Sequence, residues 1–172
     1  MATEKTPRPE ERPVVRILVL HGPNLNLSGV REPLVYGSVC LEEINGRLEE
    51  WARGHEVVLK IEHTNHEGVL IDLLHQHMGW ADGVVINPGG YAHTSVALAD
   101  AVRATGVPTV EVHLSNILAR ESFRRQSLVA EACVGVVAGL GWQGYLAACA
   151  AVAEMIASGK AVVPGPRTGS VG

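Results

Sequence analysis

Asparagine, histidine, arginine and tyrosine gather in this sequence in short stretches, most of which follow an apolar run. His21, Asn24 and Asn26 precede Arg31, Glu32 and Tyr36. Asn65 and His66 form a second set, and Asn87, Tyr91 and His93 a third. His113, Ser115, Asn116, Arg120 and Arg124 form a fourth. These residue types suit proton transfer on a bound anion. Guanidinium groups hold a carboxylate in a two-pronged fork. His113 could exchange a proton near neutral pH. Tyr36 would ordinarily keep its proton, with a pKa near ~10. A cation such as Arg31 on the same loop favours tyrosinate, a base able to remove a proton next to a carbonyl. On spacing alone, an exposed loop aromatic is the competing reading of Tyr36.

Other chemistries find less support. The lysines are Lys5, Lys60 and Lys160, and none ends a predicted strand, which argues against an imine mechanism. Cys40, Cys133 and Cys149 match no zinc or redox spacing and read as small buried hydrophobes. A metal would have to rely on His63, His66 and Glu67, or on His75 and His77. The last two fall on different faces of a helix, and solvated or capping histidines are the plainer reading. No metal is expected. The net charge of −4 offers no basic field for nucleic acid or an anionic membrane. No apolar run approaches the roughly 20 residues that span a bilayer. The polar stretch from Met1 to Pro13 lacks the apolar core of a secretory signal, so a cytoplasmic location is expected.

The elements that must position these residues follow from periodicity. The chain has 172 residues, 47% of them apolar, enough for one domain with its own core. Residues 1–13 read as a disordered arm, 14–157 as a single catalytic domain and 158–172 as a flexible tail. Strands are expected at Val14–Leu20, Glu56–Glu62, Gly83–Ile86, Thr109–His113 and Val134–Ala138. Helices are expected after a Ser38 N-cap, with Leu41, Ile44, Leu48 and Trp51 on one face; at Glu67–Met78; from a Thr94 or Ser95 cap to Ala104; and at Trp142–Ala157. Leu114–Ala132 reads as a long connection with at most a short helix. This alternation predicts an α/β, flavodoxin-like three-layer fold with a five-stranded parallel sheet in the order 2-1-3-4-5. Such sheets bind ligands beyond the carboxyl ends of their strands, at the switch between the first and third. The polar stretches would therefore meet at one edge. The stretch from His21 to Gly37 far exceeds the roughly two to six residues usual for such a turn. Within it, Ser28–Val35 is a candidate lid.

Longer motifs sharpen this reading. They are G-P-N-L-N-L at Gly22–Leu27, R-E-P and Y-G within Arg31–Gly37, and N-H-E-G at Asn65–Gly68. I-N-P-G-G-Y-A-H-T-S spans Ile86–Ser95 and E-V-H-L-S-N spans Glu111–Asn116. A-R-E-S-F-R spans Ala119–Arg124 and G-L-G-W-Q-G-Y spans Gly139–Tyr145. From about Ile17 to Met155 the chain resembles the type II 3-dehydroquinate dehydratases. The resemblance implies a lyase that converts 3-dehydroquinate to 3-dehydroshikimate by anti elimination through an enolate, the third step of the shikimate pathway. Tyr36 would take the C2 proton, with Arg31 lowering its pKa. Asn24 would help hold a water on the enolate oxygen. His113, oriented by Glu111, would protonate the departing C1 hydroxyl. Asn87, His93, Leu114, Ser115 and Arg124 would hold the substrate. Arg120 would belong to a closing loop, and Asp100 would reach a neighbouring subunit's site. The resemblance implies no metal or organic cofactor, and a homododecamer built as a tetramer of trimers. Ser28, Ala99, Leu118, Arg125 and Gln126 depart from the residues common at their positions. A flavodoxin-like nucleotide or flavin-binding module is the alternative. Against it, Gly22–Asn24 begins neither a G-x-G-x-x-G nor a phosphate loop, and no lysine is near.

Overall fold

A computed structural model describes residues 14–29 and 39–159. The expected arm and nearly all of the expected tail lie outside them. So do residues 30–38, which contain Arg31, Tyr36, Ser38 and most of the expected lid.

Five parallel strands form one sheet: β1 (Val15–His21), β2 (Val57–His63), β3 (Gly83–Asn87), β4 (Thr109–His113) and β5 (Gly135–Ala138). Their order is β2-β1-β3-β4-β5, as expected. Four helices connect or follow them: α1 (Leu41–Arg53), α2 (Glu67–His77), α3 (Val96–Thr105) and α4 (Gln143–Ala157). None is long and apolar enough to cross a membrane.

Strand alternation splits the core into two layers. Successive side chains of a strand point to opposite faces. Ile17 and Val19 of β1 join Val85 and Val112 beneath α1 and α4, where Ile44, Leu48, Ala148 and Val152 cover them. Leu18 and Leu20 join Val84 and Ile86 beneath α2 and α3, against Leu70, Leu74, Leu98 and Val102. β3 and β4 are buried along their whole length, as central parallel strands must be.

The strands run further into the polar residues than apolar content suggests. His21 pairs with both His63 and Asn87, extending two ladders past the last apolar residue. β2 starts at Val57 instead of Glu56. Glu56 has φ 55°, a left-handed conformation incompatible with a strand. α1 starts at Leu41 with Cys40 at its N-cap position and no side-chain capping bond there; the expected cap, Ser38, lies outside the described residues. Ser95, not Thr94, caps α3 by accepting from Leu98 N at 2.8 Å. The connection after β4 contains three short 3-10 turns, at Ile117–Ala119, Ser122–Arg124 and Ala130–Ala132.

Two glycines let the loops after β1 and β3 interlock. A Cβ on Gly22 would lie 2.7 Å from the Pro88 carbonyl carbon and 2.8 Å from the Asn87 oxygen. Gly22 N instead donates to that oxygen at 2.8 Å. Gly89 has φ +56° and lies against Pro23, where a Cβ would be 3.0 Å from the carbonyl oxygen. Only residues without a side chain fit this approach. The Gly-Pro-Asn and Asn-Pro-Gly-Gly stretches are thereby locked together at the sheet edge.

Candidate active site

A cavity of about 190 Å³ opens at the carboxyl ends of β1, β3 and β4. Of the predicted site residues, Asn24, Asn87, His93, His113, Leu114, Ser115, Arg120 and Arg124 line it. Pro23, Leu25, Leu27, Ser28, Gly89, Gly90 and Ile117 complete the wall. The sequence reading placed none of these in a binding role. Ser28, at the start of the expected lid, is buried in that wall.

β4 supplies the pair with the clearest chemistry. Glu111 and His113 are two residues apart in a strand, so they share a face. His113 Nε2 lies 2.6 Å from Glu111 Oε1. Glu111 is fully buried and His113 nearly so. An ionised carboxylate only accepts, so Nε2 carries the proton of this bond. Nδ1 is the ring atom left for exchange with a ligand. Glu111 itself stands behind the histidine, outside the cavity wall. His93 lies beside His113 with ring centroids 6.2 Å apart and planes 14° from parallel.

Part of the wall is cationic. Arg120 and Arg124 come from the connection after β4, on either side of Glu121. Glu121 Oε2 lies 3.6 Å from Arg120 Nε and 3.1 Å from Arg124 Nε. The Glu121 carboxyl is held below its usual range, first by its own backbone N–H and further by the charges of Arg124 and Arg120. Among the described residues, the buried Nε of Arg124 has no aligned hydrogen-bond partner despite this proximity. The Arg124 side chain keeps 28% of its surface exposed and lines the cavity while paired to Glu121.

Asn24 reaches the cavity through a left-handed backbone, φ 66° and ψ 1°, which asparagine tolerates better than most residues. Its backbone N donates to Asn65 Oδ1 at 2.8 Å. Asn65 therefore supports the wall without lining it. Tyr91 does likewise, donating its hydroxyl to Asn65 O at 3.0 Å.

Beneath the cavity lies a buried polar chain. His21 shares the face of Ile17 and Val19, so it points inward to α1 and α4 and does not line the cavity. Tyr145 donates its hydroxyl to His21 Nδ1 at 2.8 Å, and His21 Nε2 donates to Asn45 Oδ1 at 2.9 Å. The Asn87 amide bonds the same tyrosine, while Asn87 Oδ1 accepts from Gly89 N at 3.1 Å. This chain orients Asn87. Burial pushes the Tyr145 hydroxyl far up, so it stays a neutral donor.

Burial also lowers the His21 pKa from 6.5 to about 4, with Asn45 opposing and nearby His63 adding to the shift. The unfolded imidazole therefore binds a proton before the folded one does. The stability held by neutral His21 is complete above pH 6.5 and is lost as pH falls towards 4. The loss approaches about 3 kcal/mol. Urea unfolding at pH 7 and pH 4.5 tests this. His21→Gln should be less stable at pH 7 but should lose much less on acidification. Equal losses in the two proteins would refute the assignment.

Asp100 is not brought to this cavity. It lies exposed on α3 and pairs with Arg103 at 3.1 Å. Arg31 and Tyr36 lie outside the described residues. Among the described residues, no three His, Cys, Asp or Glu side chains gather as a metal site requires. Cys133 and Cys149 are buried, and burial pushes the Cys149 thiol up to about 12.

Comparison with known proteins gives a consistent result. The sequence pattern of the family Dehydroquinase class II matches residues 15–153. A 3-dehydroquinate dehydratase of Pelotomaculum thermopropionicum is 54% identical over 141 residues, covering 82% of this chain and 98% of that protein. One from Roseiflexus castenholzii is 49% identical over 159 residues, covering 92% and 98%. Among solved structures, a type II dehydroquinase from Propionibacterium acnes superposes with a TM-score of 0.78 at 40% identity, covering 81% of this chain and 96% of that one. One from Butyrivibrio crossotus gives 0.79 at 36%, covering 80% and 97%. These matches do not favour the nucleotide or flavin-binding alternative. The fold, the polar edge and these relatives agree that the chain belongs to the class II dehydroquinase family.

Proposed function

We propose that this chain is a hydro-lyase that dehydrates 3-dehydroquinate to 3-dehydroshikimate. The observation that carries the reading is the buried His113–Glu111 pair opening on a cavity that Arg120 and Arg124 make cationic. Family membership and the names of the relatives supply the substrate.

In this proposal the substrate carboxylate is bound by Arg124, with Leu114 and Ser115 beside it. Asn87 and His93 bind ring hydroxyls, and Arg120 closes on them. Tyr36, ionised beside Arg31, removes the C2 proton. The electron pair moves towards the neighbouring carbonyl, and a water held by Asn24 stabilises the resulting enolate oxygen. The enolate then collapses to the conjugated enone. The C1–O bond breaks and His113 gives its Nδ1 proton to the departing oxygen, which leaves as water. Glu111 balances the imidazolium before that step. A proton must pass from Tyr36 to His113, directly or through water, before the next turnover. No metal or organic cofactor enters this scheme. Asp100 would act at a neighbouring subunit's site in a homododecamer, which fits its exposed position here. The proposal includes a cytoplasmic location and a step in the shikimate pathway.

Adding 3-dehydroquinate to the purified full-length protein should produce the ultraviolet absorbance of a conjugated enone. EDTA should leave the rate unchanged, and so should borohydride added with substrate. Absence of enone would overturn the reaction. Inactivation by borohydride only when substrate is present would replace acid–base chemistry with a lysine imine.

A further inference from the structure

Three consecutive residues of the connection after β4 reach both cavity histidines. Gln126 O lies 2.7 Å from His93 Nδ1. Ser127 Oγ donates to Glu111 Oε2 at 3.0 Å, behind His113. Leu128 N donates to Ala92 O at 2.8 Å, next to His93. Val129, fully buried in the α2–α3 layer, anchors the end of this strap.

The hydrogen bonds fix directions as well as positions. Ser127 Oγ accepts from Ala130 N at 3.0 Å, which occupies a lone pair. Its own hydrogen is left for Glu111 Oε2 at 3.0 Å or Ala92 O at 3.3 Å. The carboxylate is both the nearer and the charged acceptor, and charge-assisted bonds are the stronger. With Oε2 tied to Ser127 and Oε1 tied to His113 Nε2 at 2.6 Å, the carboxylate of Glu111 cannot rotate freely. A carbonyl only accepts, so His93 carries its proton on Nδ1 and turns Nε2 away from the strap. The two near-parallel rings are thereby given opposite tautomers, Nε2–H in His113 and Nδ1–H in His93.

We infer that the Gln126–Leu128 strap sets the tautomers of both cavity histidines, with Ser127 as the positioning residue that acts on His113 through Glu111. The inference rests on the acid role proposed for His113. Outer hydrogen-bond partners of this kind shift activity by about 10- to 100-fold in histidine sites held by metals. Here the dependence falls on the proton-donating step, so it should enter kcat and spare substrate binding.

Ser127→Ala in the full-length enzyme should lower kcat about tenfold and change KM by less than about twofold. Ser127→Thr keeps the hydroxyl and should stay within about threefold of the parent. Nitrogen-15 spectra of histidine-labelled protein give a second readout. The His113 signal, identified by its loss in His113→Asn and recorded at a pH alkaline enough for the neutral ring, should report Nε2–H alone in the parent and a mixture of tautomers in Ser127→Ala. A kcat within twofold of the parent, an unchanged tautomer, or an equal loss in the Ala and Thr variants would overturn the inference. Retained turnover in His113→Asn strikes the acid assignment itself. Full loss there with an unaffected Ser127→Ala strikes the strap alone.

Discussion

His113→Asn should lower kcat for 3-dehydroquinate about a thousandfold while KM changes little. General acid catalysis by a placed side chain contributes roughly 10²- to 10⁴-fold. The departing hydroxyl is a poor leaving group without a proton, so the value should fall well inside that range. Asparagine is the informative replacement because its amide still offers a donor to Glu111, which is fully buried. Alanine would strand a buried charge and confuse catalysis with folding. A substrate analogue carrying fluoride at C1 sharpens the test. Fluoride leaves with less help from a proton, so this analogue should lose much less rate in the variant. Equal losses for both substrates would remove His113 from the acid role.

Tyr36→Phe should reduce turnover at least about a thousandfold, down to the limit of detection, with substrate binding retained. The ring is nearly isosteric, and only the hydroxyl that would become the base is gone. Tyr36 lies outside the described residues, so this prediction rests on its place in the Arg31–Gly37 motif and on the family. Proton exchange at C2 in deuterated water separates the two variants. Tyr36→Phe should lose exchange along with turnover. His113→Asn should still exchange C2, because proton removal precedes hydroxyl loss. Full exchange in Tyr36→Phe would require another base. Loss of exchange in His113→Asn would mean that the two steps are not separable as proposed.

Much of this was legible in the residues. Short apolar runs alternating with amphipathic segments determine a parallel sheet, because only strands covered on both faces lack a polar side. The position of the polar stretches after those runs determines one shared edge, since every strand of a parallel sheet points the same way. Glu111 and His113, two apart in a strand, were bound to share a face. The resemblance added the substrate and the roles of Tyr36 and Arg31, which spacing alone left open.

Other features needed the tertiary structure. Strand ends were misjudged because His21, His63 and Asn87 are polar yet continue the ladders, the side chains of His21 and Asn87 being hydrogen-bonded inside the fold. His21 was counted at the ligand edge, but the parity that puts Ile17 and Val19 against α1 and α4 turns it inward. There Tyr145, 124 residues away, receives it. Ser127 stood in a connection with no periodicity to mark it, and nothing local indicates that it meets Glu111, 16 residues earlier. Local pattern determines which face a residue takes, because backbone geometry is periodic. Which partner waits on that face depends on how distant segments pack, and here that packing decides where Glu111, and with it the proton of His113, is held.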